Sequence, residues 1–351
     1  MGSTPKGISA SRGAAVLGLS EFQTPLEVFQ RIMEEREPGW NTAHGYALPP
    51  EPDSAAIRWG SAFEGAVIEL AERVTENEIG SRESFFSCYG LDVTGKPLYS
   101  SGIYNYITCH IDGRYYVGGD SLHEGKTTSS SIFYKKWGTP GTDHIPRTYQ
   151  VQVQHQMLCT GASEAIVSVL VFPETPEAWE KMGWKARNTP TGDWMIEKII
   201  DDKCLDFTHP ANWAKVFYQI GCFHQYPVKA NPEAQRMMAE AYREFWEKHI
   251  LTGIPPEPHN YDDIKRLFTE PVGTIVCDTA MTAWWREYDA IRKEIGESGN
   301  AAKRMKKLKL RILNETRKTN PVMDDESQEK VIYRDSSGNK LGQYSKKGGF
   351  R

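Results

Sequence analysis

The sequence predicts an α/β (α+β) protein: a central mixed sheet flanked by helices, with a helical carboxy-terminal extension. Three patterns carry this. Apolar residues recur at helical spacing between Ala55 and Val74, alternate with polar ones between Ile103 and Asp112, and form a β-branched run at Ala165–Val171. A helix, a half-buried strand and a fully buried strand in one chain are the parts of a layered α/β core.

The elements follow in order. Ser11 is placed to cap a short helix over Ala14–Leu17, and Thr24-Pro25-Leu26-Glu27 is a capping box with proline in the first turn, predicting a helix from Pro25 to about Glu35. Trp40–Asp53, with its glycine and prolines, reads as a loop. Phe63, Val67, Leu70, Ala71 and Val74 form the buried stripe of the next helix, and Ile103, Asn105, Ile107, Cys109 and Ile111 share one face of a strand. Arg114–Val117 and Ser121–Thr127 continue as a meander across Gly118-Gly119. A helix from Thr148 to Cys159 should stop at Gly161, before the central strand Ala165–Val171. Asp193–Ile200 reads as a further strand, and Asn231-Pro232 opens a long helix ending near Gly253. From Met281 onward the chain reads as helical and then basic. The expected division is therefore a domain over residues 1–270 and a helical, basic extension over 271–351.

Composition narrows the class. At 351 residues, 39% hydrophobic and 25% charged, the chain can bury a full core. Met1–Pro5 lacks a signal-peptide layout and no apolar run is long enough to span a membrane, so a cytoplasmic protein, in a bacterium or a phage-infected cell, is expected. The six cysteines are scattered without a Cys-x-x-Cys pair, which argues against structural zinc or an iron–sulfur cluster. No His-x-x-x-His pair of the metalloprotease kind occurs either. The net charge of −4 means that any nucleic-acid site must be a local basic surface.

The chemistry concentrates at Asp112 and Glu124-Gly125-Lys126. Two carboxylates at the ends of adjacent strands offer the hard oxygen ligands that Mg2+ takes, while Lys126, two residues beyond Glu124, points the same way toward a substrate phosphate. A surface hairpin held by salt bridges would show the same three residues. Glu64 sits beside the apolar stripe of its helix, where a carboxylate leans inward and calls for a partner or a metal. Tyr149 and Gln152, three apart, share a helical face, as they also would on an ordinary amphipathic helix.

Taken in order, Gly7-Ile8-Ser9-Ala10-Ser11 with Ala14-Ala15-Val16-Leu17-Gly18, Trp59-Gly60 with Glu64, Ile111-Asp112-Gly113, Glu124-Gly125-Lys126-Thr127 and Tyr149-Gln150-Val151-Gln152 resemble the lambda-exonuclease/YqaJ family of the PD-(D/E)xK nuclease superfamily. The resemblance covers Gly7–Val171, and more loosely the helices to Phe268. It implies a restriction-endonuclease-like core, Mg2+ with Mn2+ as a substitute, and 5′-to-3′ digestion of one strand at double-stranded DNA ends. It also implies a 3′ overhang handed to a single-strand annealing protein, and a homo-oligomer in the form of a ring trimer. By position, Glu64, Asp112 and Glu124 are then metal carboxylates, Lys126 the catalytic lysine, and Gln152 and Tyr149 residues that line the site. Gly125 would ligate through its carbonyl, although the family more often has a bulkier apolar residue there. Ser11 falls where a serine approaches the terminal phosphate. Lys6 and Arg12 are the basic residues near it.

RecB- and Cas4-like nucleases share this core but place tyrosine four residues after the motif glutamine, where this chain has Gln156. A site-specific endonuclease and an inactive DNA-end binding protein are the other readings. Outside the motifs, Ala301–Lys318 holds eight Lys or Arg against one acid, with Met305, Leu308 and Ile312 at helical spacing. Lys303, Lys306, Lys307 and Lys309 are the expected phosphate contacts there, against a merely solvated face.

Overall fold

The amino-terminal motif forms a two-residue strand, β1 (Ile8–Ser9), and a helix, α1 (Ala10–Val16), with Ser9 rather than Ser11 at the N-cap position and no side-chain capping hydrogen bond. The computed structural model describes residues 7–49, 55–80, 90–91, 97–115, 121–173, 177, 180, 184–188, 194–198, 217–218, 221–267, 273–294, 300–318, 330–345 and 349–350. The capping box forms as expected at the start of α2 (Pro25–Arg36), with Thr24 and Glu27 each accepting the other's backbone N–H. Within the expected loop, Trp40–Ala43 closes one helical turn, α3, after Gly39 turns the chain at φ 89°.

Two compact units emerge, each discontinuous or joined far along the chain: residues 1–20 with 51–244, and 21–50 with 245–351. Sequence reading places one cut after residue 270. The compact units change over instead after Ser20, Pro50 and Glu244.

In the first unit, α4 (Ala55–Thr75) buries Phe63, Val67, Leu70 and Ala71, while Val74 is 46% exposed. Short strands follow: β2 (Ile79–Gly80), β3 (Gly90–Leu91), β4 (Pro97–Ser100), β5 (Ile107–Cys109) and β6 (Gly113–Tyr115). The alternating run from Ile103 is a strand only from Ile107. Gly102 turns the chain at φ 69°, the Ser101 hydroxyl donates to the Tyr104 carbonyl, and Ile103 is 61% exposed. The Gly118-Gly119 junction and part of Arg114–Val117 lie outside the described residues.

Nine-residue β7 (Ser121–Ser129) leads into α5 (Ser130–Lys136), then α6 (Arg147–Thr160), and back through β8 (Glu164–Phe172). Gly161, at φ 74°, ends α6. The parallel pairing of β7 with β8 requires such a helical crossover. Beyond them come a separate hairpin, β9 (Trp184–Asn188) with β10 (Trp194–Lys198), then β11 (Phe223–Lys229) and α7 (Pro232–Phe245). The principal sheet has the order β11-β8-β7-β6-β2, with β8 and β7 parallel and the other neighbours antiparallel. A second sheet has the order β1-β5-β4-β3. The mixed α/β class is thus the one observed.

Burial explains why β8 is an interior strand of this sheet. Ala165, Val167, Val169 and Leu170 are fully buried, and each large aliphatic side chain so placed stabilises the fold by about 1.5–3 kcal/mol. On the helical side, Gly13 allows α1 to approach α7. A Cβ there would lie 2.2 Å from the Tyr242 hydroxyl.

The second unit corrects the expectation of a helical extension. After a π-helical turn (Trp246–Ile250) and α8 (Tyr261–Leu267) comes a four-stranded sheet of order β12-β13-β14-β15, built from Gly273–Val276, Val331–Arg334, Lys340–Ser345 and Gly349–Phe350. Helices α9 (Thr279–Glu294) and α10 (Asn300–Lys318) pack with it around Trp285, Tyr288, Leu308, Ile312 and Tyr333. Contacts distant in sequence join α2 to this unit: Thr24 Oγ1 donates to Asp263 at 2.8 Å, and Arg266 pairs with Glu27. The described helix over 232–245 and the turn to Ile250 match the helix expected from Asn231-Pro232 to near Gly253.

Candidate active site

Glu124 lies inside β7, opposite Val167 of β8, and is 2% exposed. A carboxylate buried there needs partners. Lys126, on the same face of the strand, forms an ion pair with Oε1. From α6, Gln152 Nε2 donates to Oε1 at 2.6 Å and Gln156 Nε2 donates to Oε2 at 2.7 Å. The Gln156 nitrogen also donates to the His110 carbonyl at 3.1 Å. Two residues after His110, Asp112 accepts the Gly125 N–H on Oδ2 at 2.9 Å. The Tyr149 ring centroid lies 5.1 Å from Lys126 Nζ, a cation–π contact. Five residues proposed from sequence therefore meet: Asp112, Glu124, Lys126, Tyr149 and Gln152.

The electrostatics follow from burial. Desolvation and then the charge of Asp112 raise the Glu124 pKa, against Lys126 and Gln156, which lower it. Burial by itself lowers that of Lys126, but Glu124 and Asp112 outweigh it and the net shift is upward. Lys126 is consequently an ammonium at neutral pH, a source of positive charge rather than a base.

The other expected site residues are placed differently. Gly125 offers Asp112 its N–H; a Cβ on it would lie 3.2 Å from Val67 of α4 and 3.6 Å from Asp112 Oδ2, which accounts for a glycine where bulk was expected. Glu64 is half-buried on α4, the helix whose Val67 meets Gly125 of β7, and among the described residues no three His, Cys, Asp or Glu stand close enough to hold a metal. Ser11 is exposed in α1, its hydroxyl 3.1 Å from that of Ser9, and Arg12 Nη1 donates to the Gly7 carbonyl at 3.5 Å. In the second unit, Lys303, Lys306 and Lys307 are exposed on α10, whereas Lys309 lies over Tyr288 and Phe350, 5.6 and 5.8 Å from their ring centroids.

Two residues escaped sequence reading. One is Gln156, which resembles any polar helical residue until its partners are seen. The other is His123, buried on the α4 face against Tyr115, with neither ring nitrogen hydrogen-bonded among the described residues. Desolvation lowers its pKa to about 4, Asp112 opposing and Lys126 assisting. Since an unfolded histidine titrates near 6.5, its neutral form stabilises the fold above that pH. This contribution, on the order of 3 kcal/mol, is lost as pH falls through about 4. Urea unfolding of His123→Leu across this range should show a flatter acid limb than wild type. An identical limb would contradict the buried neutral imidazole.

The comparisons agree with the motif order. Residues 3–163 match the model of the YqaJ-like viral recombinase domain, so the family resemblance holds over that stretch. Among particular relatives, YqaJ of Bacillus subtilis (strain 168) is 28% identical over 213 residues, covering 59% of this chain and 56% of YqaJ; the chain spans little more than half of that protein. Similar solved structures include the alkaline exonuclease LHK-Exo of Laribacter hongkongensis, in a complex with dAMP, at 13% identity and a TM-score of 0.43, covering 72% of this chain and 91% of that one. A phage-related exonuclease from Haemophilus somnus has 13% identity and a TM-score of 0.36, covering 70% and 96%. No helix among the described residues is long and apolar enough to cross a membrane.

Proposed function

We propose that this chain is a Mg2+-dependent exonuclease, with Mn2+ as a substitute, that digests one strand of double-stranded DNA from its 5′ end and leaves a 3′ overhang for a single-strand annealing protein. The observation that carries this is the buried Glu124–Lys126 pair with Asp112 beside it. A dry ion pair is seldom worth its desolvation as structure alone. Here two carboxylates face one ammonium, and the surplus negative charge suits a divalent cation.

Asp112 and Glu124 are the residues that would hold such a cation. Among the described residues Lys126 and Gln152 occupy Glu124 Oε1 and Gln156 takes one lone pair of Oε2, which leaves the second for a cation. The bound cation would supply Lewis acidity and a more acidic water. Lys126, held between Glu124 and Tyr149, would place its charge against the phosphate as negative charge builds. Water adds to phosphorus, the bond to the 3′ oxygen breaks, that oxygen leaves with a proton, and a 5′ mononucleotide is released. Glu64 as a further metal carboxylate, and Ser11 and Arg12 beside the terminal phosphate, belong to the same proposal. A homo-oligomer, with a ring trimer as the form, belongs to the same proposal.

Linear duplex and a covalently closed circle, each incubated with Mg2+, test the reading. Loss of the linear form alone is expected. Cutting of the circle would favour an endonuclease, and no digestion would favour a DNA-end binding protein.

The basic helix gives a separate expectation. If Lys306 and Lys307 contact duplex phosphates, replacing both by Gln should flatten the slope of log affinity against log salt by up to about 2 units. The chemical step should stay unchanged. An unaltered slope in a filter-binding titration would place the DNA track elsewhere.

A further inference from the structure

The one amide nitrogen of Gln156 touches both carboxylate-bearing segments. It donates to Glu124 Oε2 at 2.7 Å and to the carbonyl of His110, two residues before Asp112, at 3.1 Å. Gln156 is itself 2% exposed, and its Oε1 has no hydrogen-bond partner among the described residues. A buried amide that leaves its own oxygen unsatisfied so that its nitrogen can serve two acceptors is held for what the nitrogen does.

The neighbouring turns of α6 show the contrast. Gln154 uses both ends of its amide structurally, donating to the Lys229 carbonyl at 2.7 Å and accepting from Asn231 N at 2.9 Å. His155 lies 3.0 Å from the Thr108 carbonyl. These contacts bind α6 to β5 and to the start of α7. Gln156 alone ties α6 to the reacting carboxylates from the Oε2 side. Gln152 approaches the opposite oxygen, which Lys126 already occupies.

From this geometry we infer that Gln156 is a positioning residue. It fixes which oxygen of Glu124 is left for a cation, and it sets the separation between Glu124 and the Asp112 segment. The inference rests on the metal-dependent reading above. Gln156 would act through the two carboxylates, without touching substrate. A tyrosine at this place has one hydroxyl proton to donate, whereas the NH2 of Gln156 has two and so serves Glu124 and His110 together.

The test is direct Mn2+ binding to the full chain, by calorimetry or by the loss of the free-ion EPR signal, in wild type and in Gln156→Met. Methionine keeps the length and volume but removes both donors. Partners that orient metal ligands typically contribute about 10- to 100-fold in affinity, and a weakening in that range is expected. At saturating Mn2+ the turnover should return to within about threefold of wild type, because no group that reacts has been removed. Gln156→Asn keeps the NH2 on a shorter arm that reaches one acceptor, and an intermediate loss is expected; this variant serves if the methionine fails to fold. Gln154→Met should lower the urea midpoint while leaving Mn2+ affinity alone. Wild-type affinity in the folded Gln156 variants would overturn the positioning role while the nuclease reading stands. A loss in Gln154→Met as large as in Gln156→Met would overturn it as well, by making the effect structural. A wild type that neither binds Mn2+ nor digests DNA would overturn the underlying reading, and this inference with it.

Discussion

Asp112→Ala is expected to slow digestion of linear duplex on the order of 10³-fold in a protein that still folds. Asp112 accepts the Gly125 N–H and contributes the second carboxylate facing Lys126. Its removal leaves the Glu124–Lys126 pair and both glutamine contacts in place. Glu124→Ala is a harsher change, because it strands the Lys126 ammonium and two amide donors in a dry interior. Breaking a buried pair in that way costs about 3–5 kcal/mol. Retained stability is therefore expected of Asp112→Ala, and Glu124→Gln is the better probe at the other position. Rates of acid-soluble nucleotide release, with urea midpoints alongside, separate the effects. A wild-type rate in Asp112→Ala would remove it from the site.

Lys126→Met is the second large effect. Without the ammonium, the charge building on the phosphate loses its nearest fixed counter-charge, and a reduction on the order of 10²-fold is expected. Glu124 and Asp112 then face each other uncompensated, so the Glu124 pKa rises further from a value that burial and Asp112 already raise. Mn2+ binding should persist, because both carboxylates remain. A slowing of less than about threefold with normal Mn2+ binding would end the catalytic assignment.

Much of this arrangement was legible in the sequence because local signals and tertiary demands agree. Thr24 and Glu27 cap α2, Gly161 ends α6, and the Ala165–Val171 run is buried on both faces. Glu124 and Lys126 were legible as a pair because alternation on a strand puts them on one face, and Asp112 because it immediately precedes the adjoining strand β6. Other parts were hidden for physical reasons. The alternation from Ile103 mimics a strand, but a turn at Gly102 leaves Ile103 in solvent. The pairing of Gly273–Val276 with Val331–Arg334 joins short segments far apart in sequence, and neither has a periodicity long enough to read. The same holds for Thr24 with Asp263. Gln156 could not be told from a solvated helical glutamine, since only the packed helix reveals that its nitrogen meets a buried carboxylate.

The proposed activity is that of a divalent-metal nuclease centred on Asp112, Glu124 and Lys126 and acting at duplex ends. The most direct test is digestion of a linear duplex labelled at the 5′ or the 3′ terminus of one strand, its other end blocked. It is run with Mg2+ or with chelator, and with or without a 5′-phosphate on the open end. Early release of 5′-terminal label as mononucleotide, late release of 3′-terminal label, an intact complementary strand and no release in chelator are expected. Release that continues unchanged in chelator, or that begins equally from both termini, would contradict it.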